Sequence, residues 1–203
     1  MEKILFVTDA QQLSNKAMDF AGFICQLSKS KLTGVFLQNS AAGSFKKACD
    51  ARSIIGALHP DTALTSAGIL AESKFADLVL LQPDGLTLHG AGCPVVVMPS
   101  HFEGLDQLVF IYDGEAASIN AIKQFTYLFP DLKNLPVNVV CLTAHEEELG
   151  NWFTSHYRDV AFTHHNLPEL REYLGCKERA FIVVNNELPS ERMASQALFV
   201  CNN

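Results

Sequence analysis

The sequence lacks a long apolar run, a basic excess and every common catalytic signature, and each lack removes a class of function. Its longest apolar stretches are about six residues, such as Cys93–Met98 with its proline, against the roughly 20 a membrane-spanning helix needs. Net charge is −7. Residues 1–100 hold eight basic and eight acidic side chains, and residues 101–203 hold seven and fourteen, so the whole excess lies in the second half. A chain of that sign repels phosphate backbones, which disfavours DNA or RNA as a partner. There is no G-x-S-x-G, no P-loop and no G-x-G-x-x-G, so no hydrolase, nucleotidase or dinucleotide site announces itself. Among the six cysteines, Cys25, Cys49, Cys93, Cys141, Cys176 and Cys201, no C-x-x-C pair occurs. Most sit in apolar runs, where a reduced thiol behaves as a small hydrophobe. The opening Met1-Glu2-Lys3, with Asp9 soon after, does not read as a signal peptide, and a cytoplasmic location is expected.

What is present is material for a core. Hydrophobic residues make up 48% of the chain and charged residues 18%, outside the disordered range. The material is also arranged twice. Shifting the sequence by 104 residues lays Leu5-Phe6-Val7-Thr8-Asp9 on Val109-Phe110-Ile111-Tyr112-Asp113 without a gap. The same shift lays Ser14 and Ala17 on Ser118 and Ala121, Val35 on Val139, and Ala76–Leu80 on Ala180–Val184. Every strand-like run thus finds a strand-like partner at one fixed offset.

Each half predicts strands alternating with helices. Short, continuously apolar runs suit parallel strands covered on both faces. They fall at Lys3–Thr8, Leu32–Leu37, Ser53–Leu58, Asp77–Gln82 and Val95–Met98, and again at Gln107–Tyr112, Val137–Leu142, Asp159–Thr163, Ala180–Asn185 and Leu198–Cys201. Helical spacing of Ala17, Phe20, Ala21, Ile24 and Leu27, and of Ile119, Ile122, Phe125 and Leu128, predicts a helix after each first strand. Further helices are predicted over Ser44–Ala51, Asp61–Ser73, Glu146–His156 and Leu167–Cys176. The expected fold is α/β with two open parallel sheets, over residues 1–99 and 104–203, joined by a linker at Ser100–Gly104.

In such sheets a ligand lies beyond the C-terminal strand ends, where the strand order reverses. The residues placed there are Asp9, Gln38, Asp113, Thr143, His164-His165 and Asn185-Asn186. Asp9 and Asp113 have two readings. Each suits a ligand hydroxyl, and each equally suits the backbone amides of the adjacent turn. Adjacent histidines on a strand exit point apart, so His164 and His165 do not suggest one metal site, and none is expected. Trp152, Phe153 and Tyr157 read as packing rather than as a base-stacking platform.

Residues Lys3–Asp9, with Ala17 following, resemble the opening of a universal stress protein domain. Phe75–Leu81 resembles that family's penultimate strand, and Cys93-Pro94-Val95-Val96-Val97-Met98-Pro99 resembles its closing strand closely. The resemblance covers the first 100 residues and reaches the second half through the repeat. It implies two minimal, tandem Rossmann-like units of the adenine nucleotide alpha hydrolase-like kind, related by a pseudo-twofold axis. Pairing of family domains through their final strands would bury Val96 and Val200. It also implies that Asp9 and Asp113 lie near a nucleoside, with Leu37 and Cys141 lining the same pocket.

One departure alters the functional expectation. Nucleotide-binding members carry G-x2-G-x9-G-[ST] before the closing strand, whose glycines let backbone amides approach phosphates. Here Gln82–Gly92 is too short for it, and Asn186–Gln196 has no glycine. The expected function is therefore a non-enzymatic stress-response or regulatory protein without the usual ATP binding. It would use no cofactor and would act through self-association, as a pseudo-dimer within the chain or a homodimer. The alternative is a small-molecule protein binding a nucleoside or adenine nucleotide at the strand ends.

Overall fold

The computed structural model describes residues 1–8, 13–37, 42–60, 64–82, 88–144, 147–185 and 196–201. These form ten strands, six α-helices and one 3-10 helix, so the chain is α/β. They divide into two compact units, Met1–Phe102 and Glu103–Cys201.

In the first unit the strands are β1 (Lys3–Thr8), β2 (Lys31–Phe36), β3 (Gly56–Leu58), β4 (Leu78–Leu81) and β5 (Val95–Val97). Their order is β3-β2-β1-β4-β5 and every pairing is parallel. The unbroken apolar run of β1 follows from burial of both faces. Side chains alternate across a strand. Leu5 and Val7 pack with Val35, Val79, Leu81 and Ile69 of α3 (Ser66–Ser73). Phe6 turns to the opposite face, where its ring lies 5.7 Å from Phe45 of α2 (Ala42–Asp50). The helix after β1, α1 (Asn15–Ser28), begins at Ser14, whose Oγ accepts the N–H of Ala17 at 3.4 Å.

The second unit contains β6 (Gln107–Tyr112), β7 (Val137–Cys141), β8 (Val160–His164), β9 (Ala180–Asn185) and β10 (Ala197–Cys201). They run parallel in the order β8-β7-β6-β9-β10. Its helices are α4 (Ala116–Leu128), α5 (Glu147–His156) and α6 (Leu167–Gly175). Phe125 of α4 meets Phe110, Phe181 and Phe199 at ring separations of 5.4, 4.9 and 5.3 Å. Such edge-to-face contacts add to area burial.

Several boundaries differ from the sequence reading, for local reasons. The third strand begins at Gly56 rather than Ser53, because Ser53 takes a left-handed turn (φ 56°) that closes α2. Helix α3 starts at Ser66, set by Thr65, whose Oγ1 accepts the N–H of Gly68 at 3.2 Å. Pro130–Asn134 forms a 3-10 helix that the apolar periodicity did not announce. Val96 is fully buried, as expected, but Val200 is only half-buried. At the end of the first unit, the ring of Phe102 lies 5.1 Å from Phe20 and 5.2 Å from Phe23 of α1, which pins the predicted linker region at this point.

Candidate functional site

In each unit the strand order reverses at the first strand. The chain winds outward from β1 to β2 and β3, then returns to its other side with β4; β6 is the corresponding strand of the second unit. The crevice beyond the C-terminal ends of β1 and β4, or of β6 and β9, is where such a sheet receives a ligand.

In the first unit, Asp9 and Gln38 lie outside the described residues. Leu37 follows β2, half-buried, with its N–H donated to Thr8 at 3.3 Å. Its side chain packs against the cluster that contains Leu5, Val7 and Val35. Gln82 follows β4, buried, its N–H donated to the carbonyl of Val7 at 3.0 Å. Of the segment Gln82–Gly92, residues 83–87 lie outside the described part.

The strand ends of the second unit are described more fully. Asp113 follows β6, and Gly114 after it has a φ of +91°. A side chain at Gly114 would be strained in that backbone and would meet Thr143 Oγ1 at 3.0 Å. The turn brings the N–H of Glu115 back to Asp113 Oδ1 at 3.0 Å. Asn185, the last residue of β9 and 1% exposed, donates its Nδ2–H to Asp113 Oδ2. That hydrogen bond crosses from the end of β9 to the end of β6, over the point where the strand order reverses. Both carboxylate oxygens of Asp113 thus accept from the chain itself.

Cys141 ends β7 close to this crevice. Its carbonyl accepts the N–H of His165 at 3.2 Å. Burial pushes its thiol up to about 11, so it is a neutral, buried thiol rather than a thiolate nucleophile. The two histidines part company after β8. His164 is exposed. His165 lies over Tyr173 of α6 at a ring separation of 4.9 Å, with Glu169 Oε2 3.8 Å from its Nδ1. Among the described residues, no three His, Cys, Asp or Glu side chains converge as a metal site would require. Phe153 and Tyr157 are buried against Phe110, while Trp152 stacks on His156 at 4.1 Å.

A hollow of about 260 Å³ lies on the flank of α1, lined by Asp19, Gly22, Phe23, Gln26 and Arg52. The Arg52 guanidinium there is already engaged by Asp19 Oδ1 at 2.8 Å and by the carbonyls of Ala48 and Asn15. None of the strand-end residues lines it.

Sequence reasoning placed Asp113 and Asn185 at strand ends but did not join them. The two are 72 residues apart, and only the adjacency of β6 and β9 brings them together. Gly114 was not singled out, although an Asp-Gly pair after a strand is a recognisable turn signal. The segment 186–195 lies outside the described residues. Compared with known proteins, the chain matches no protein-family model and shows no significant similarity to any curated protein.

Proposed function

We propose that this chain is a non-enzymatic regulatory protein of the universal stress protein kind that does not bind ATP in that family's usual way. In this reading the two units are tandem Rossmann-like repeats related by a pseudo-twofold axis. The observation that carries the reading is that the chain itself holds Asp113. Its Oδ1 accepts from Glu115 N–H and its Oδ2 from Asn185 Nδ2, so the carboxylate already has the structural role of bracing the turn, and a ligand hydroxyl would have to share an oxygen that accepts one of these bonds. The common strand order of the two units supports the repeat.

The balance of charge and donors points the same way. A triphosphate would approach a chain already at −7. Tight binders offset that charge with a nest of backbone amides at a helix start, and the sequence carries no glycine motif to form one. A single hydroxyl bond to an Asp contributes only about 0.5–1.5 kcal/mol net, against the roughly 8 kcal/mol behind micromolar affinity.

The second reading, nucleoside or adenine nucleotide binding at the strand ends, draws support from Leu37. It is an apolar side chain left half-exposed at the end of β2, beside the first unit's crevice. Isothermal titration calorimetry with ATP and with adenosine decides between the two. The regulatory reading expects ATP dissociation constants in the millimolar range or weaker, and adenosine binding no worse than ATP. Micromolar ATP binding that adenosine cannot match would overturn it, and micromolar adenosine binding would favour the second reading.

A further inference from the structure

Helix α1 carries a glycine that its packing does not require. Gly22 is buried in the middle of Asn15–Ser28, and a glycine in a helix interior is destabilising relative to alanine. Yet a Cβ at Gly22 would meet only Ile54, with Cδ1 at 3.4 Å and Cγ1 at 3.8 Å, which is ordinary van der Waals contact. What the missing side chain leaves is part of the hollow of about 260 Å³ on this flank of α1. That volume falls just below the roughly 300–1,000 Å³ of sites for drug-sized ligands, so it suits a small metabolite.

The lining supplies an apolar face and charges of both signs. Phe23 lines the hollow, and its ring is backed by Phe102 at 5.2 Å and Phe20 at 6.4 Å. Arg52 and Asp19 line it too, paired through Nε and Oδ1 at 2.8 Å. The carbonyls of Ala48 and Asn15 hold the guanidinium further, and its Nη2 also reaches Asn15 Oδ1 at 3.5 Å. Arginine has five N–H donors, so Nη1 keeps one for a ligand. Asp19 Oδ2 and the Gln26 amide hold no hydrogen bond among the described residues. The hollow therefore offers an N–H for an anion, an oxygen for a cation and an amide, beside an aromatic ring, and its own charges cancel.

We propose that this hollow binds a free α-amino acid with an aromatic side chain. The paired charges select a zwitterion, because a ligand of one sign would set its charge against the like member of the Arg52–Asp19 pair. The amino acid brings its ammonium to Asp19 Oδ2, its carboxylate to Arg52 Nη1 and Gln26 Nε2, and its ring to Phe23 above Gly22. Contact between the two rings adds to the burial of apolar area. Asp19 is 43% exposed and Arg52 21% at the side chain. Water therefore screens both charges, and the affinity is modest, with a dissociation constant of about 1 mM.

Amide NMR of the isotope-labelled full chain tests it, with L-phenylalanine added to about 10 mM, roughly tenfold above that constant. Saturable shifts are expected, confined to the amides of Asn15–Ser28 and of residues 48–54. Phenethylamine lacks the carboxylate and phenylpropionate lacks the ammonium, and each should bind at least about tenfold more weakly. Asp19→Asn should weaken L-phenylalanine by about tenfold as well. Gly22→Ala raises the floor and should weaken binding several-fold, while its melting temperature holds or rises because alanine is the better helix former. Thermal melts confirm that each variant is folded. The absence of saturable shifts over this range overturns the proposal. So does either singly charged analogue binding as well as the amino acid, or Asp19→Asn or Gly22→Ala binding like wild type. The strand ends contribute no residue to this hollow, so calorimetry with ATP and adenosine is independent of every one of these results.

Discussion

Asp77 Oδ2 accepts the backbone N–H of Lys3 at 2.9 Å, and that of Glu2 at 2.6 Å, so the residue just before β4 holds the chain where it enters β1. The bond from Lys3 N–H is the main reason its carboxyl is held below the usual range, and the Glu2 N–H and the terminal amine add to it. Nearby, Glu72 is lowered too, first by Lys3 Nζ at 2.9 Å and then by His59. A carboxylate whose folded pKa is depressed stabilises the fold above its unfolded pKa, and that stability is lost as pH falls through the folded value. Asp77→Asn is expected to cost about 0.5–1 kcal/mol at pH 7, the partial exposure reducing what a charged hydrogen bond is worth. Urea denaturation at several pH values checks it: the gap to wild type should close as pH falls below about 4.

Gln196 is expected to be a sensitive position at the entry to β10. It is 3% exposed, and its Nε2 donates to the carbonyl of Leu174 at 2.6 Å and to that of Lys177, closing the end of α6. Gln196→Ala should cost about 1–3 kcal/mol by leaving those carbonyls short of a donor. Gln196→Glu should be worse at pH 7, because a carboxylate would face two carbonyl oxygens in a buried place. Its folded pKa would be raised, so its deficit should shrink as the pH is lowered and the acid regains a donor. Thermal melts at pH 7 and pH 5 distinguish the two variants.

The pair Thr126 and Tyr157 should respond asymmetrically. Their hydroxyls lie 2.7 Å apart in the core, and Thr126 Oγ1 is 2.8 Å from the carbonyl of Ile122, to which it donates. Tyr157 is then the donor to Thr126. Burial pushes its phenol up to about 12, so it keeps its proton at any ordinary pH. Tyr157→Phe removes a donor whose acceptor stays otherwise bonded and should cost about 0.5–1.5 kcal/mol. Thr126→Val strands the buried phenol and should cost about 1–3 kcal/mol. Equal losses for the two in chemical denaturation would contradict this donor order.

Phe125 is expected to be among the costliest core truncations. It is fully buried among four other phenylalanine rings. Phe125→Ala should lose about 3–5 kcal/mol. Phe75→Ala, at 81% exposure, should stay within about 0.5 kcal/mol of wild type. Guanidinium melts of the two variants compare them directly.

Thiol labelling should find one reactive cysteine. Cys176 is the exposed one of the six, and the other five are buried. Burial pushes Cys25 and Cys93 up to about 12 and Cys49 up to about 11, so these are protonated as well as covered. Iodoacetamide at neutral pH, read by intact mass, should add a single group to the folded protein and six after denaturation. Two or more additions without denaturant would show that a core thiol is reached by local opening.

The sequence by itself determined the elements whose signal is local. An apolar run of six residues covered on both faces reads the same in the chain and in the sheet, so Lys3–Thr8, Gln107–Tyr112 and Ala180–Asn185 were legible with their boundaries. The alternation of strands and helices was legible as well, and the strand order in each unit came only from the fold. The short third strand and the start of α3 were not legible, since a left-handed Ser53 and a Thr65 cap override propensity through single backbone bonds. The candidate site divides along the same line. That Asp113 follows a strand and begins a turn is written in its neighbours. That its second oxygen is taken by Asn185 was decided only when β9 was laid beside β6, because a hydrogen bond between residues 72 apart leaves no periodicity for a sequence to display.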